Sequence, residues 1–260
     1  MIGVFDSTIG GLTIARAFEQ LLPRHSLLYL GDTARASCEN MGNADIVQYS
    51  IENTKFLIEN GAKIIVIGCN SAAGIAAETV RQTFDVPVFD IITPAVQEAV
   101  RVSHCKRIGI IGTHATIASN IYSDTVTGLF PEYKVFSKSC PLLVPLIEEG
   151  WISKKETKMI LKKYLSSLKN RQLDTLILGC NHYSLLKQLI QPRIGKKVTL
   201  VDSAFEVAKE VRSFLQDVPD MLPPEEISEV RRHYFITRLT ETTEYVAEKI
   251  FARPTLLQLT

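Results

Sequence analysis

Two stretches of the sequence share one pattern, in which a short run of branched and leucine residues stops at Gly-Cys-Asn. The first covers residues 64–73 and contains Cys69, and the second covers residues 176–183 and contains Cys180. An apolar run of this length that ends at glycine predicts a fully buried β-strand. The residues after each cysteine predict a helix, so both cysteines are placed at the carboxyl end of a strand, where open α/β sheets bind ligands. A lone cysteine is typical of a small buried hydrophobic residue, but two in the same context indicate chemistry.

The rest of the chain alternates predicted strands with predicted helices almost throughout. A strand over residues 2–6 opens a pattern that starts afresh at residue 107, which predicts two similar halves with a boundary near residues 93–97. Regular βαβ order predicts mostly parallel sheets with helices on both faces. We therefore expect an α/β protein of two similar doubly wound parallel-sheet domains, with the active site in the cleft between them.

The last predicted strand and helix have no place in the pattern of the second half, so we expect them to pack on the first. The first domain is then predicted to comprise residues 1–95 plus 216–260, and the second residues 96–215. Within the second domain, the pattern predicts a continuous helix over 116–129 and an amphipathic helix over 153–168. The side chains that we expect to point inward from the latter helix are Met159, Ile160, Tyr164, Leu165 and Leu168.

Composition and charge exclude several classes of protein. The hydrophobic fraction of 46% and charged fraction of 22% are ordinary for a globular protein. A formal net charge of +1 leaves no basic excess to neutralise phosphates, so we expect no nucleic-acid partner. The most apolar stretch, residues 64–77, is short and contains Asn70 and Ser71, so we expect no membrane-spanning helix.

The cysteines indicate a cellular compartment and argue against a metal. Five cysteines without framework spacing predict free thiols in a reducing cytoplasm. No Cys/His spacing is typical of a zinc site, so we expect no metal.

In a cleft between the two predicted domains, Cys69 and Cys180 could face each other, and such a pair of thiols fits two chemistries. A disulfide is disfavoured in a reducing compartment. The alternative is proton transfer at carbon, because inversion of a stereocentre without a cofactor needs one base on each face, and a thiol is a base when ionised and an acid when not. Since the reference pKa of a thiol is near 8.5, the surroundings must hold one cysteine as the thiolate.

Side chains near each cysteine can assist this transfer. Asn70 and Asn181 directly follow the cysteines and can donate amide hydrogen bonds. His182 can exchange a proton with Cys180, and Asp6, at the end of the first predicted strand, can do the same for Cys69. Taken singly, His182 or Asp6 is more often a hydrogen-bonded structural residue; their shared location at strand ends favours a function.

Motifs spread over nearly the whole chain resemble the glutamate racemases, a family within the cofactor-independent aspartate/glutamate racemase superfamily. The motifs run in the family's order: Phe5-Asp6-Ser7 with Gly10-Gly11-Leu12, Gly31-Asp32-Thr33-Ala34-Arg35, Cys69-Asn70-Ser71-Ala72, Gly112-Thr113 with Ala115-Thr116, Val144-Pro145-Leu146-Ile147-Glu148-Glu149-Gly150, and Gly179-Cys180-Asn181-His182-Tyr183.

This resemblance implies two flavodoxin-like domains, an isomerase that uses no cofactor, and Cys69 and Cys180 as its two bases. It implies support from Asp6 and His182, with Asp32 and Glu148 as auxiliary groups. The substrate would be a small acidic amino acid, the protein a homodimer, and the role in bacteria the supply of D-glutamate for cell-wall peptidoglycan. The side chains that would contact the substrate are Ser7, Asn70, Ser71, Thr113, Thr116 and Asn181.

The sequence departs from the family's pattern at several positions. Thr8 replaces a glycine, Asn181 replaces a threonine, and Ser37-Cys38-Glu39 replaces Pro-Tyr-Gly. An inward-pointing Glu39 would repel an acidic substrate, whereas a solvated Glu39 would not. Two alternatives to glutamate racemisation therefore stay open: a related racemase with another acidic amino acid as substrate, and a catalytically weak, racemase-like binding or regulatory protein.

Overall fold

The strands of the protein form two separate sheets in which the strand pairs are parallel. The computed structural model describes residues 1–35 and 41–260. In chain order the strands are β1 (Ile2–Asp6), β2 (Leu27–Gly31), β3 (Ile64–Ile67), β4 (Val88–Asp90), β5 (Arg107–Gly112), β6 (Lys134–Ser139), β7 (Thr175–Gly179), β8 (Thr199–Asp202), β9 (Arg232–Ile236) and β10 (Gln258–Leu259).

Helices alternate with these strands, as the sequence pattern predicts. They are α1 (Leu12–Leu21), α2 (Asn43–Glu59), α3 (Asn70–Thr83), α4 (Ile92–Val102), α5 (His114–Ala118), α6 (Ile121–Leu129), α7 (Leu143–Glu148), α8 (Lys155–Lys169), α9 (Lys187–Ile194), α10 (Ser203–Asp217) and α11 (Glu241–Phe251). Short 3-10 helices cover Ile9–Gly11 and Asn181–Leu186.

The two sheets repeat one strand order. The first runs β10-β9-β2-β1-β3-β4 and the second β6-β5-β7-β8, so both contain the order second-first-third-fourth of a doubly wound fold. Every residue of β1, β2 and β7 is buried, which is typical of parallel strands covered on both faces. The predicted class of two parallel-sheet α/β domains is confirmed.

The C-terminal strand returns to the first sheet, as expected. β9 pairs with β2 from Leu27 opposite Arg232 to Gly31 opposite Ile236. α11 follows with a capping box, in which Thr240 and Thr243 each accept a hydrogen bond from the other's backbone N–H. Its inner face, with Val246 and Ile250, is fully buried.

Contacts within the chain divide it into two units. One unit is Met1–Ile91 with Ala204–Thr260, and the other is Ile92–Ser203. The predicted domains, residues 1–95 plus 216–260 and residues 96–215, assign α10 to the second half, whereas nearly all of α10 belongs to the first unit here. A contact cluster is not by itself a domain that folds alone, so the domain boundaries stay a prediction.

Two predictions about helices were wrong. The predicted helix over 116–129 is broken at Asn120, whose φ of 54° is left-handed, a conformation that asparagine tolerates better than most residues. On α8 the buried face includes Leu161, which is fully buried, whereas Met159 is 61% exposed. Leu165 and Leu168 are buried as expected, and Ile160 and Tyr164 pack at the margin of the same core.

Membrane insertion through a helix requires a long apolar segment. Within the described ranges, no helix combines the length and the apolar character needed to cross a bilayer.

Candidate functional site

Cys69 and Cys180 occupy equivalent positions in the two sheets. Cys69 lies just beyond the end of β3, which pairs with β1, and Cys180 lies just beyond the end of β7, which pairs with β5. The strand order reverses at these two places in the sheets, and such switch points are where doubly wound folds bind ligands. Both cysteines are buried and free of disulfides, with exposed fractions of 8% and 7%.

Cys69 begins the helix that follows its strand. It is the N-cap residue of α3, and the positive end of the helix dipole favours negative charge at this place. The hydroxyl of Ser7, directly after β1, donates a hydrogen bond to Cys69 Sγ at 3.3 Å. A thiolate at Cys69 is therefore stabilised from two sides.

Asp6, the last residue of β1, is held by the turn that follows it. The backbone N–H and the hydroxyl of Thr8 donate to Asp6 Oδ1 at 2.7 and 2.9 Å. Gly11 packs so closely that a Cβ there would lie 2.4 Å from Asp6 Cβ. Thr8 stands where the racemase pattern has glycine, and its hydroxyl adds a bond that glycine cannot make.

Tyr29, on β2, lies beneath this turn. Its hydroxyl donates to the carbonyl of Thr8 at 2.7 Å. Burial raises the pKa of Tyr29 well above its usual value, and the negative charges of Asp6 and Cys69 raise it further. The phenol therefore stays neutral and keeps its hydrogen bond to the turn.

Asp32 follows the end of β2 and is also buried. Its Oδ2 accepts a hydrogen bond from Asn53 Nδ2 at 3.2 Å, and its Oδ1 accepts one from Thr237 Oγ1 at 3.3 Å. Arg35 Nη1 lies 3.3 Å from Oδ2. The carboxylate is thus fixed by residues from α2, from the segment after β9 and from its own loop.

A pocket in the first unit joins several of these groups. Three residues singled out from the sequence, Ser7, Asp32 and Cys69, line it together. One wall comes from α2, which no sequence motif connects with the site. The α2 residues are Ile46, Tyr49, Ser50 and Asn53, and the other lining residues are Phe5, Met41 and Ala72.

The spacing of the α2 residues is the sequence signal that indicates this wall. Positions 46, 49, 50 and 53 follow the i, i+3, i+4, i+7 pattern of one helix face. Ser50 and Asn53 on this face are polar and yet buried, which is unusual unless their polar atoms are hydrogen-bonded. Such a face indicates either a buried polar network or a site, and here Asn53 bonds to Asp32.

In the second unit, Cys180 lies beside a histidine and a glutamate. His182 Nδ1 is 3.8 Å from Cys180 Sγ, and His182 Nε2 is 3.1 Å from Glu148 Oε1. His182 is buried, while the side chain of Glu148, the last residue of α7, is 37% exposed. The series of side chains Cys180, His182 and Glu148 can therefore pass a proton between a buried thiol and a partly solvated carboxylate.

Thr113 and Thr116 lie at the end of β5, next to β7. Thr113 caps α5: its Oγ1 accepts from the N–H of Thr116 at 3.4 Å and lies 3.2 Å from Thr116 Oγ1. Asn70 and Ser71 begin α3, and Asn181 begins the 3-10 helix after Cys180. These polar side chains all follow strand ends at the switch points.

Ser37-Cys38-Glu39 lies outside the residues that the structure describes. Over the described residues, no group of three or more His, Cys, Asp or Glu side chains is arranged to hold a metal ion.

Comparison with known proteins relates the whole chain to one family. The family model described as Asp/Glu/Hydantoin racemase matches residues 13–211. The glutamate racemase of Geobacter metallireducens is 39% identical over 236 residues, which are 91% of this chain and 87% of that protein. The glutamate racemase of Aquifex aeolicus is 43% identical over 216 residues, which are 83% of this chain and 84% of that protein.

Solved structures give the same answer. A glutamate racemase isoform from Bacillus anthracis superimposes with a TM-score of 0.93 at 31% identity, covering 100% of this chain and 97% of the other. The glutamate racemase of Francisella tularensis, solved in complex with D-glutamate, superimposes with a TM-score of 0.89 at 32% identity, covering 100% and 96%.

Proposed function

The chain belongs to the Asp/Glu/hydantoin racemase family, and on that premise we propose that it is an isomerase that interconverts L- and D-glutamate without a cofactor. The observation that carries the proposal is the pair of Gly-Cys-Asn strand ends. Each cysteine lies at the switch point of its own sheet, and each lies close to groups that can assist proton transfer. The relatives and solved structures compared with this chain are all named glutamate racemases.

The reaction is a transfer of two protons at the α-carbon. The thiolate of one cysteine removes the α-proton and becomes a thiol, which leaves a carbanion on the substrate. The thiol of the other cysteine then donates its proton to the opposite face and becomes a thiolate, so the configuration inverts and the total number of protons is unchanged. The mechanism requires that Cys69 and Cys180 reach one carbon from opposite faces.

We assign the supporting roles according to these contacts. Ser7 and the start of α3 stabilise the thiolate of Cys69. His182 serves Cys180 as the proton partner, and Glu148 orients its imidazole. Asp6 and Asp32 act as auxiliary carboxylates on the Cys69 side. The substrate's polar groups bind to hydroxyls and amides of the remaining predicted residues, which are Asn70, Ser71, Thr113, Thr116 and Asn181.

We extend the proposal to the biological role of the enzyme, its cellular compartment and its oligomeric state. The product D-glutamate serves bacterial cell-wall peptidoglycan, and hence cell shape, and the enzyme works in the cytoplasm as a homodimer. Its partner is a small acidic amino acid and not a nucleic acid, because the net charge of +1 provides no excess of basic residues. Sedimentation analysis of the purified protein tests the dimer.

A racemisation assay tests the function. The purified protein is incubated with L-glutamate or D-glutamate, with no cofactor added, and the decay of optical activity to zero is followed from both sides. The proposal expects decay from both enantiomers. Decay with aspartate but not glutamate would favour the related racemase, and binding of glutamate without decay would favour the binding or regulatory protein.

A further inference from the structure

Arg35 contacts two residues that line the pocket of Ser7, Asp32 and Cys69, which we call the Cys69 pocket, and it is not among the residues that the reaction itself requires. It touches Asp32 and Tyr49, which both line the pocket, and Glu52, which lies one turn from Tyr49 on α2. We refer to Asp32, Arg35, Tyr49 and Glu52 as the Arg35 cluster.

Arg35 makes one hydrogen-bonded ion pair, a second ion pair without a hydrogen bond, and one contact with an aromatic ring. Nη2 donates to Glu52 Oε2 at 2.6 Å, Nη1 lies 3.3 Å from Asp32 Oδ2, and the guanidinium carbon lies 4.0 Å from the centroid of the Tyr49 ring. A planar, delocalised cation can form two ion pairs and stack on a ring at once, which a lysine ammonium does poorly. The cation is therefore fixed against the pocket wall.

The segment that carries Arg35 is anchored without it. Ala34 N donates to Thr237 Oγ1 at 2.7 Å, and Thr33 Oγ1 donates to the carbonyl of Arg238 at 2.9 Å. Arg238 N donates back to Thr33 Oγ1 at 3.0 Å. These bonds tie residues 33 and 34 to the chain after β9, so this part of the segment is held by contacts that do not use the Arg35 charge.

The charge of Arg35 matters because the proposed substrate of the pocket, glutamate, is an anion. Glutamate carries two carboxylates and one ammonium, so a buried carboxylate such as Asp32 in the pocket wall repels it overall. The formal charges of Asp32, Arg35 and Glu52 are −1, +1 and −1, which sum to −1. Without Arg35, Asp32 and Glu52 together would carry −2.

We propose that Arg35 is a specificity-determining and positioning residue, which offsets the charge of Asp32 and Glu52 so that the Cys69 pocket accepts a dicarboxylic amino acid. The inference rests on the proposed racemase function. It concerns binding rather than chemistry, so its signature is a change in KM with little change in kcat, since interactions that are equal in the ground and transition states alter KM alone.

A set of charge variants tests the inference through glutamate kinetics. Arg35→Gln should raise KM for glutamate about tenfold, the order of magnitude for one uncompensated charge beside a partly solvated pocket, while kcat changes little. Arg35→Lys should keep most of the affinity, and Glu52→Gln alone should lower KM. Lys55→Gln is the matched control. It removes a positive charge from an exposed ion pair on α2, the helix that carries Glu52, and should leave KM and kcat unchanged.

The double variant Arg35→Gln/Glu52→Gln separates charge from structure. It restores the wild-type sum of −1, so KM should return most of the way to the wild-type value. Raising the ionic strength should likewise reduce the KM defect of Arg35→Gln, because salt screens repulsion.

Two results would overturn the inference: an Arg35→Gln variant with the wild-type KM, or a folded double variant with a KM no better than that of the single variant. If Arg35→Gln failed to fold, an unchanged or raised KM in Glu52→Gln would overturn it instead. Wild-type protein that racemises no acidic amino acid would overturn the proposed function and this inference with it, so the two failures are distinct.

Discussion

The two cysteines have different neighbours, although their positions in the sheets are equivalent. Cys69 Sγ accepts from a hydroxyl at 3.3 Å, whereas Cys180 Sγ lies 3.8 Å from an imidazole nitrogen. A hydroxyl can stabilise a thiolate but is too weak an acid and base to serve as its proton partner at neutral pH, while an imidazole can do both. The two half-reactions therefore depend on different residues, and single substitutions can separate them.

Cys69→Ser and Cys180→Ser should each lower racemisation by about 100-fold or more, the usual scale for loss of a general acid or base. A serine hydroxyl keeps the size and the hydrogen bonding but is a far weaker base at neutral pH. Initial rates with either enantiomer, measured in deuterated water with product analysed for deuterium at the α-carbon, check this. Near-native rates in either variant would contradict the two-thiol mechanism.

His182→Asn should lower kcat more in the direction that begins with removal of a proton by Cys180 than in the other. Asparagine keeps a hydrogen-bonding side chain but cannot relay a proton to Glu148. The value of kcat/KM must stay equal in the two directions, because the equilibrium constant between enantiomers is one, so KM compensates. An equal loss of kcat in both directions would assign His182 a structural role only.

Helix α10 carries a glutamate, Glu210, whose surroundings disfavour the charged form of its carboxyl group. The pKa of Glu210 is raised from its usual 4.5 to about 7, mainly by burial and also by the charge of Asp90, at the end of β4, while Arg81 acts in the opposite sense. Arg81 is already engaged by Asp90 at 2.7 Å. The folded state therefore binds the Glu210 proton more tightly than the unfolded state does.

This shift has a definite sign for stability. Between pH 4.5 and about 7 the folded state holds more protons at Glu210 than the unfolded state, so its contribution to stability is lost as the pH rises through this window. Glu210→Gln should leave the free energy of unfolding unchanged near pH 4.5 and raise it at pH 8 by about 1 kcal/mol, a value discounted for solvent screening. Denaturant titrations at the two pH values measure the difference, with exposed Glu248→Gln on α11 as the control; equal effects at both pH values would contradict it.

The elements show which parts of the fold a sequence can predict. Residues 64–67 and 175–179 form strands because their apolar runs are continuous and end at glycine. The hydrophobic pattern does not predict the break at Asn120, because the break depends on one residue's tolerance of a left-handed φ. The pattern wrongly predicts Met159 inward, because hydrophobicity alone does not determine which face of a helix is buried. On α8 the buried face is the one that contains Leu161.

The residues of the site also divide into those that the sequence predicts and those that it does not. The cysteines, Asp6 and His182 could be singled out because they follow predicted strands, and strand ends at a switch point lie near one another by topology. The α2 wall and Arg35 could not be connected with the pocket in this way. Their contacts depend on how a helix packs beside a sheet, and Arg35 reaches Glu52 across 17 residues of sequence.

At the scale of the whole molecule, the two units differ in continuity. Residues 92–203 form one uninterrupted segment, whereas the other unit combines residues 1–91 with residues 204–260. In the latter, β2 needs β9 as its neighbour on the side away from β1. The first 91 residues alone therefore leave a buried strand at an open edge.

A fragment of residues 92–203 should fold cooperatively on its own, and a fragment of residues 1–91 should not. The first keeps all four strands of its sheet, while the second loses β9, β10 and α11. Circular dichroism during thermal unfolding of the two fragments measures this. A cooperative transition in the shorter fragment would contradict the expectation and would show that β9 is dispensable for β1 to β4.

The pairing of β2 with β9 also has a consequence during synthesis of the chain. A ribosome adds about 5 to 20 residues per second, so the roughly 200 residues between these strands take about 10 to 40 s to appear. Throughout that interval β2, with Leu27, Leu28 and Leu30, has unpaired backbone N–H and C=O groups on the side that β9 later occupies. Such an edge readily pairs with other chains. Rapid translation, or a chaperone that shields the strand at the ribosome, should therefore increase the yield of native protein more than any stabilisation of the finished fold.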